Sequence, residues 1–174
     1  YVTHDQTEAM SMADQVILMR DGRIEQDAPP DRLYANPATV FAARFVGTPP
    51  MNVLSLAGGR DGAVIAGAPT SSAPVCRQDP TAVQVGIRPE HVRFSTDPSA
   101  TGTPARVGTC EYFGADTILG CVVGEQAVAV RAPGLHAIAP GSAVMLVWSP
   151  ADQHFFDART GHRCDADRQS TSST

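Results

Sequence analysis

Four places in the chain carry residues whose type and spacing could do chemistry. The first is His4, placed between a short β-prone run, residues 1–3, and a helical segment that begins at once behind it. An imidazole at such a strand end is either a ligand contact or a partly exposed side chain with no task. The second is Arg88-Pro89-Glu90-His91. Pro89 pushes Arg88 away from helical geometry, and in an extended chain Arg88 and Glu90 stand two apart on one face. Together they make either a surface salt bridge worth under about 1 kcal/mol or a fixed corner that orients one half of a β domain on the other. A ligand site at His91 is a third reading. Gly114, within Phe113-Gly114-Ala115-Asp116, supplies a bend or a positive φ between two strands; such loops touch ligands in some barrels and are more often only turns. Cys76, Cys110, Cys121 and Cys164 are scattered without a C-x-x-C pair, so they lack zinc-site spacing. They read as small buried hydrophobes in a reduced, cytoplasmic protein, and no metal is expected.

The rest of the composition narrows the classes. All thirteen basic residues are arginines and none is lysine. The formal net charge is −5, and no Arg cluster forms a basic face, which argues against a nucleic-acid partner and against a polybasic membrane patch. No stretch approaches the roughly 20 apolar residues of a membrane span. Gly and Pro together number 29 and favour many short strands and turns.

Elements that would position these residues follow from periodicity and turn chemistry. Residues 5–13 read as a helix, with Asp5 as its cap and Glu8 at capping-box spacing. Residues 16–19 form a compact apolar strand, and Asp21-Gly22 predicts a type I′ turn into an edge strand at 23–26. One helical turn at 31–34 takes Asp31 as its cap, Asn36-Pro37 stops it, and a second short helix covers 39–46. Gly47-Thr-Pro-Pro50 marks a domain boundary. Beyond it, strands are predicted at 53–56, 63–66, 82–87, 92–95, 105–113, 117–123, 126–131, 143–148 and 154–157. Short strands with Gly/Pro punctuation argue for a small barrel or sandwich. Trp148, Phe155 and Phe156 belong to its core or to a subunit interface. Residues 165–174 are a polar tail.

Three blocks carry a family resemblance. Tyr1-Val-Thr-His-Asp-Gln-Thr-Glu-Ala-Met10 with Asp21-Gly-Arg-Ile-Glu-Gln26 resembles the end of the nucleotide-binding domain of ABC-transporter ATPases. Pro37-Ala-Thr-Val-Phe-Ala-Ala-Arg-Phe-Val-Gly47 with Pro50-Met51-Asn52 continues the likeness to importer subunits of the maltose-importer type. Gly86-Ile-Arg-Pro-Glu-His91 is similar to a hallmark of their regulatory domain. Late segments, Glu111-Tyr-Phe-Gly-Ala-Asp116 and His154-Phe-Phe-Asp157 among them, resemble the sn-glycerol-3-phosphate branch.

The resemblance implies a mainly β fold: an OB-like or TOBE regulatory β domain over residues 51–164, preceded in 1–50 by the last α/β elements of a P-loop ATPase domain. It implies that His4 is the switch histidine reaching the ATP γ-phosphate, and that Arg88, Glu90, His91 and Gly114 are regulatory or structural. It implies ATP and Mg2+ in a longer protein, a second copy of the subunit as partner, membrane permease subunits bound through the ATPase core, a regulatory protein or small ligand as a further partner, and a peripheral place at the cytoplasmic face of a bacterial membrane. No G-x-x-x-x-G-K-[S/T] run is present, so this chain by itself is expected neither to bind nor to hydrolyse ATP. The rival expectation is a free-standing OB-type module that binds a small anion or sugar.

Overall fold

The computed structural model describes residues 1–164; the polar stretch 165–174 lies outside the described residues. Helix α1, Gln6–Met12, starts where Asp5 Oδ1 accepts from the Thr7 and Glu8 amides at 2.7 and 3.3 Å. Two orphan donors of the first turn are thereby satisfied. The Glu8 carboxylate takes the Thr3 hydroxyl at 2.9 Å instead of closing a capping box on the Asp5 amide. The strand expected over residues 1–3 does not form. Among the described residues no strand pairs with them, so an extended segment there has no ladder to hold it, and Tyr1 and Val2 lie exposed.

Strands β1, Val16–Arg20, and β2, Arg23–Ala28, form an antiparallel hairpin. Its turn has φ of 52° at Asp21 and 75° at Gly22, the two positive values a type I′ turn requires. Helix α2, Pro30–Ala35, begins one residue ahead of expectation. Asp31 does not cap it, because the fixed φ of Pro30 already suits the first helical position; Asp31 sits inside the first turn, favourable to the helix dipole. Helix α3, Val40–Phe45, is capped by Thr39 Oγ1, which accepts from the Ala42 amide at 3.2 Å while its hydroxyl donates to Glu25 at 2.6 Å. Leu18, Leu33, Ala42 and Val46 form a small core for this part, with Met10 of α1 packed against it.

The remainder is β structure. Strands β3 (Asn52–Gly58), β4 (Ala63–Ile65), β5 (Val83–Ile87), β11 (Gln153–Asp157) and β12 (Arg163–Cys164) make one antiparallel sheet in the order β12-β11-β5-β3-β4. Strands β6 (Arg93–Ser95), β7 (Thr103–Tyr112), β8 (Asp116–Val123), β9 (Gln126–Pro133) and β10 (Ala143–Val147) make the second, ordered β6-β10-β7-β8-β9. Alternation along β8 sends Thr117, Leu119, Cys121 and Val123 inward, and β9 adds Val128 and Val130. They meet Leu54, Leu56, Val85, Ile87 and Phe155 from the other sheet in one core. Each fully buried aliphatic side chain there stabilises the fold by roughly 1.5–3 kcal/mol. The chain is mainly β, with curled antiparallel sheets consistent with an OB-like domain.

Side chains join the sheets where strands do not pair. Asn52 exchanges two hydrogen bonds with the backbone of Ala129, at 2.9 and 2.8 Å, and so imitates a strand partner for β9. Gln126 does the same for Ser55, donating to its carbonyl and accepting from its amide. The chain passes from one sheet to the other at the 3-10 turn Pro89–His91 and returns at the 3-10 turn Pro150–Asp152. Both turns open on a proline, whose fixed φ suits a first helical position.

Candidate functional site

Of the two readings of the Arg88 corner, a surface salt bridge or a fixed corner, the surface pair does not form. Pro89–His91 is a 3-10 turn, because Pro89 itself starts the turn while Arg88 stays extended at φ −65° and ψ 140°. Arg88 is 1% exposed. Its Nη1 donates to Ala43 O at 3.2 Å and to Val46 O, and its Nη2 donates to Tyr34 O at 2.7 Å. The guanidinium carbon lies 3.9 Å from the centroid of the Tyr34 ring, within cation–π range. A cation thus sits on carbonyls at the end of α3, where orphan acceptors and the negative dipole end favour it. The corner fastens residues 34–46 to the β domain.

Space for this contact depends on Gly47. Its φ is +108°, and a Cβ built there would lie 2.9 Å from Arg88 Nη1 and 3.3 Å from Tyr34 Cε2. Glu90 completes the arrangement by accepting the Tyr34 hydroxyl. Burial first, then the bond to Glu90, pushes the Tyr34 phenol up to about 12. Burial also pulls the Arg88 pKa down, opposed by Tyr34 and Glu90. Arg88 Nε is buried without a hydrogen-bond partner among the described residues.

The two crossover turns lie side by side. His91 Nδ1 faces Asp152 Oδ1 at 3.6 Å. Between the turns is a cleft of about 320 Å³, lined by Glu90, His91, Arg93, Trp148, Ser149 and Asp152 together with Val147. Trp148 Nε1 donates to Gln153 Oε1 at 2.9 Å once that amide is oriented to suit its neighbours, which orients the indole. Nearby, His154 Nδ1 accepts from Arg163 Nη1 at 3.0 Å; burial first, then Arg163, brings its pKa down to about 4.

Arg88, Glu90 and His91 therefore share one turn, and the structure joins neither His4 nor Gly114 to them. His4 is exposed and makes no hydrogen bond or ion pair among the described residues. Gly114 has φ +85° in the β7–β8 turn, as a tight connection needs, and open space where a Cβ would stand. Of the aromatic residues, Phe155 enters the core between the sheets, and Phe156 points the other way to Ala43, Met51 and Val53. Cys121 is buried, which raises its thiol to about 11. Sequence reasoning missed Tyr34, Gly47, Arg93 and Asp152. A repeated pattern could have found the last, since Ser149-Pro150-Ala151-Asp152 matches the proline-led turn after Arg88.

Residues 85–156 match the model of the TOBE domain, a span that takes in both crossover turns. Over 167 residues the chain is 36% identical to the sn-glycerol-3-phosphate import ATP-binding protein UgpC of Paracoccus denitrificans (strain Pd 1222), covering 95% of this chain and 46% of that protein. The protein of the same name from Yersinia pestis is 37% identical over 169 residues, covering 95% and 47%. That of Paraburkholderia xenovorans (strain LB400) is 39% identical over 176 residues, covering 95% and 48%. The chain spans about half the length of these curated relatives. With a TOBE match and 36–39% identity over 95% of its length, the chain corresponds to the carboxy-terminal part of ABC-importer ATP-binding subunits.

Proposed function

We propose that this chain is the regulatory and dimer-forming end of an ATP-hydrolysing subunit that powers bacterial uptake of a sugar or glycerol phosphate, with sn-glycerol-3-phosphate as the first solute to test. The observation that carries this reading is 36–39% identity over 95% of the chain to proteins named for that import. Solute choice belongs to other subunits, so no side chain of this chain is assigned to it.

The residues of this chain do not make a nucleotide site by themselves. They include no lysine to reach phosphates and no phosphate-cradling loop. ATP and Mg2+ belong to the longer protein, where bound nucleotide supplies the energy of phosphoryl transfer. In that setting His4 is a hydrogen-bond partner of the γ-phosphate, and its exposed, unpaired side chain leaves it available. The Arg88 corner then ties the end of the ATPase part to the β domain, and the β domains of two copies keep the subunits together. Permease subunits bind the ATPase core, at the cytoplasmic face of the membrane. Among the described residues no helix is long and apolar enough to cross a membrane.

Two measurements test this. Native mass spectrometry of the chain is expected to show a dimer; a strict monomer at high concentration removes the dimer assignment. In the longer protein, His4→Ala is expected to abolish ATP turnover while nucleotide binding persists. Turnover by the 174-residue chain alone that disappears with His4→Ala defeats the assignment of the nucleotide site to the longer protein.

A further inference from the structure

We propose that the cleft between the two crossover turns binds a small polyhydroxylated molecule carrying one anionic group, of the sugar-phosphate class. The inference is independent of the transport reading, since every residue in it lies in the β domain. At about 320 Å³ the cleft holds a ligand of monosaccharide size, at the lower end of the roughly 300–1,000 Å³ usual for small-molecule sites.

Its lining selects the chemistry. The Arg93 side chain makes no hydrogen bond or ion pair among the described residues, so its guanidinium is free to take an oxyanion. The two carboxylates are differently placed. Asp152 faces His91 at 3.6 Å, and Glu90 holds the Tyr34 hydroxyl through one oxygen only. Both retain acceptor capacity for hydroxyl donors. A bare oxyanion entering here meets two negative groups, and a bare sugar leaves Arg93 unused. A molecule with hydroxyls at one end and a phosphate at the other satisfies both sets. The Trp148 indole, oriented through its N–H to Gln153, offers a flat apolar surface for the C–H face of a sugar ring. The cleft also touches the Arg88 corner directly. A ligand hydroxyl bound to the free Glu90 oxygen acts on the same carboxylate that anchors Tyr34 of α2.

Trp148 is the single tryptophan of the chain and lines this cleft, so its emission reads a change there. The probes are glucose 6-phosphate, glucose and inorganic phosphate, titrated into the 174-residue chain. Glucose 6-phosphate is expected to shift the emission saturably in the millimolar range, with glucose and phosphate each at least about tenfold weaker. Arg93→Ala is expected to weaken glucose 6-phosphate by about tenfold, the size of one charge-assisted contact, and Arg93→Lys to keep part of the affinity. Arg93 is exposed on a strand, so both variants should unfold like the parent. The indole N–H resonance of Trp148 gives a second reading of the same titrations. The proposal is overturned by no saturable shift with glucose 6-phosphate, by an Arg93→Ala titration equal to the parent's, or by phosphate alone binding as tightly as glucose 6-phosphate.

Discussion

Replacing Arg88 with alanine should destabilise the chain by about 3 kcal/mol. The side chain donates to three backbone carbonyls, those of Ala43, Val46 and Tyr34. Charge-assisted hydrogen bonds contribute roughly 1.5–3 kcal/mol each when both partners are buried. Two costs offset this: a buried guanidinium loses its hydration, and its Nε has no hydrogen-bond partner among the described residues, which forfeits roughly 1–3 kcal/mol. What remains is about half of the gross contribution. For a chain of this length each kcal/mol moves the Tm by roughly 2–4 °C, so a fall of about 6–12 °C is expected.

Urea unfolding of Arg88→Ala, Arg88→Met and Arg88→Lys separates the contributions. Met keeps much of the volume and loses every donor, so it should fall near Ala. Lys keeps the charge, but its single ammonium cannot reproduce a fork that serves three carbonyls while lying on the Tyr34 ring, so it should recover less than half. Loss of under about 1 kcal/mol in Arg88→Ala would falsify the account of a structural fastening, because a fully buried charge with three acceptors cannot be that dispensable. Stability of Arg88→Lys equal to the parent's would show that charge alone matters and that the geometry does not.

Three further outcomes follow from the same geometry. Gly47→Ala must accept a positive φ and a Cβ against the Arg88 guanidinium; a loss of about 1–3 kcal/mol is expected by chemical denaturation, and near-additivity with Arg88→Ala would show the two sites are not coupled. Asn52→Ala removes both bonds to the Ala129 backbone and should cost about 1–3 kcal/mol, with faster amide hydrogen exchange at Ala129 as its local signature. Acid stability should depend on His154, whose pKa in the folded chain is lowered to about 4, chiefly by burial. A lowered histidine contributes stability above its ordinary pKa of about 6.5 that is lost as pH falls towards 4. Asp79, Asp97 and Asp157 are held below 3.8 by their own hydrogen bonds, so they act at lower pH. Denaturant midpoints across this window should decline in the parent and flatten in His154→Asn; an unchanged slope removes His154 as the cause.

Local chemistry made much of the architecture readable. Asp5 announces a helix start because a short side-chain oxygen can reach the next free amides. Asp21-Gly22 announces a hairpin because few other pairs tolerate two positive φ values. The strands of the β domain could be found because inward and outward residues alternate between turns, as along β8 and β9. Failures came where a residue's state depends on something distant in sequence. Residues 1–3 have strand-like side chains but no partner strand among the described residues. Arg88 and Glu90 read as a local pair, yet the partner that joins them is Tyr34, 54 residues away from Arg88 in its backbone bond and 56 from Glu90 in its hydroxyl bond. Nothing in the spacing of charges reports that a guanidinium will bind carbonyls instead of its neighbouring carboxylate. Only burial decides it, and burial is a property of the assembled fold.

That burial has a mechanical consequence. Adjacent residues on a strand face opposite ways, so β11 places Phe155 in the core between the sheets and Phe156 against Ala43 of α3, Met51 and Val53. Arg88 leaves the end of β5, the strand beside β11, and grips the last carbonyls of the same helix. α3 is thus held at two points by neighbouring strands of one sheet, by an aromatic ring at one and by a cation at the other. A hinge at residues 47–50 would need both contacts to open, and close-packed interiors do not yield gradually. Small displacements of α3 must therefore be carried into the β5–β11 pair as a rigid shift. One crossover turn follows the end of β5 at Arg88, and the other leads into the start of β11 at Gln153. Glu90 and Asp152, next to the paired ends of these two strands, are therefore carried together with α3.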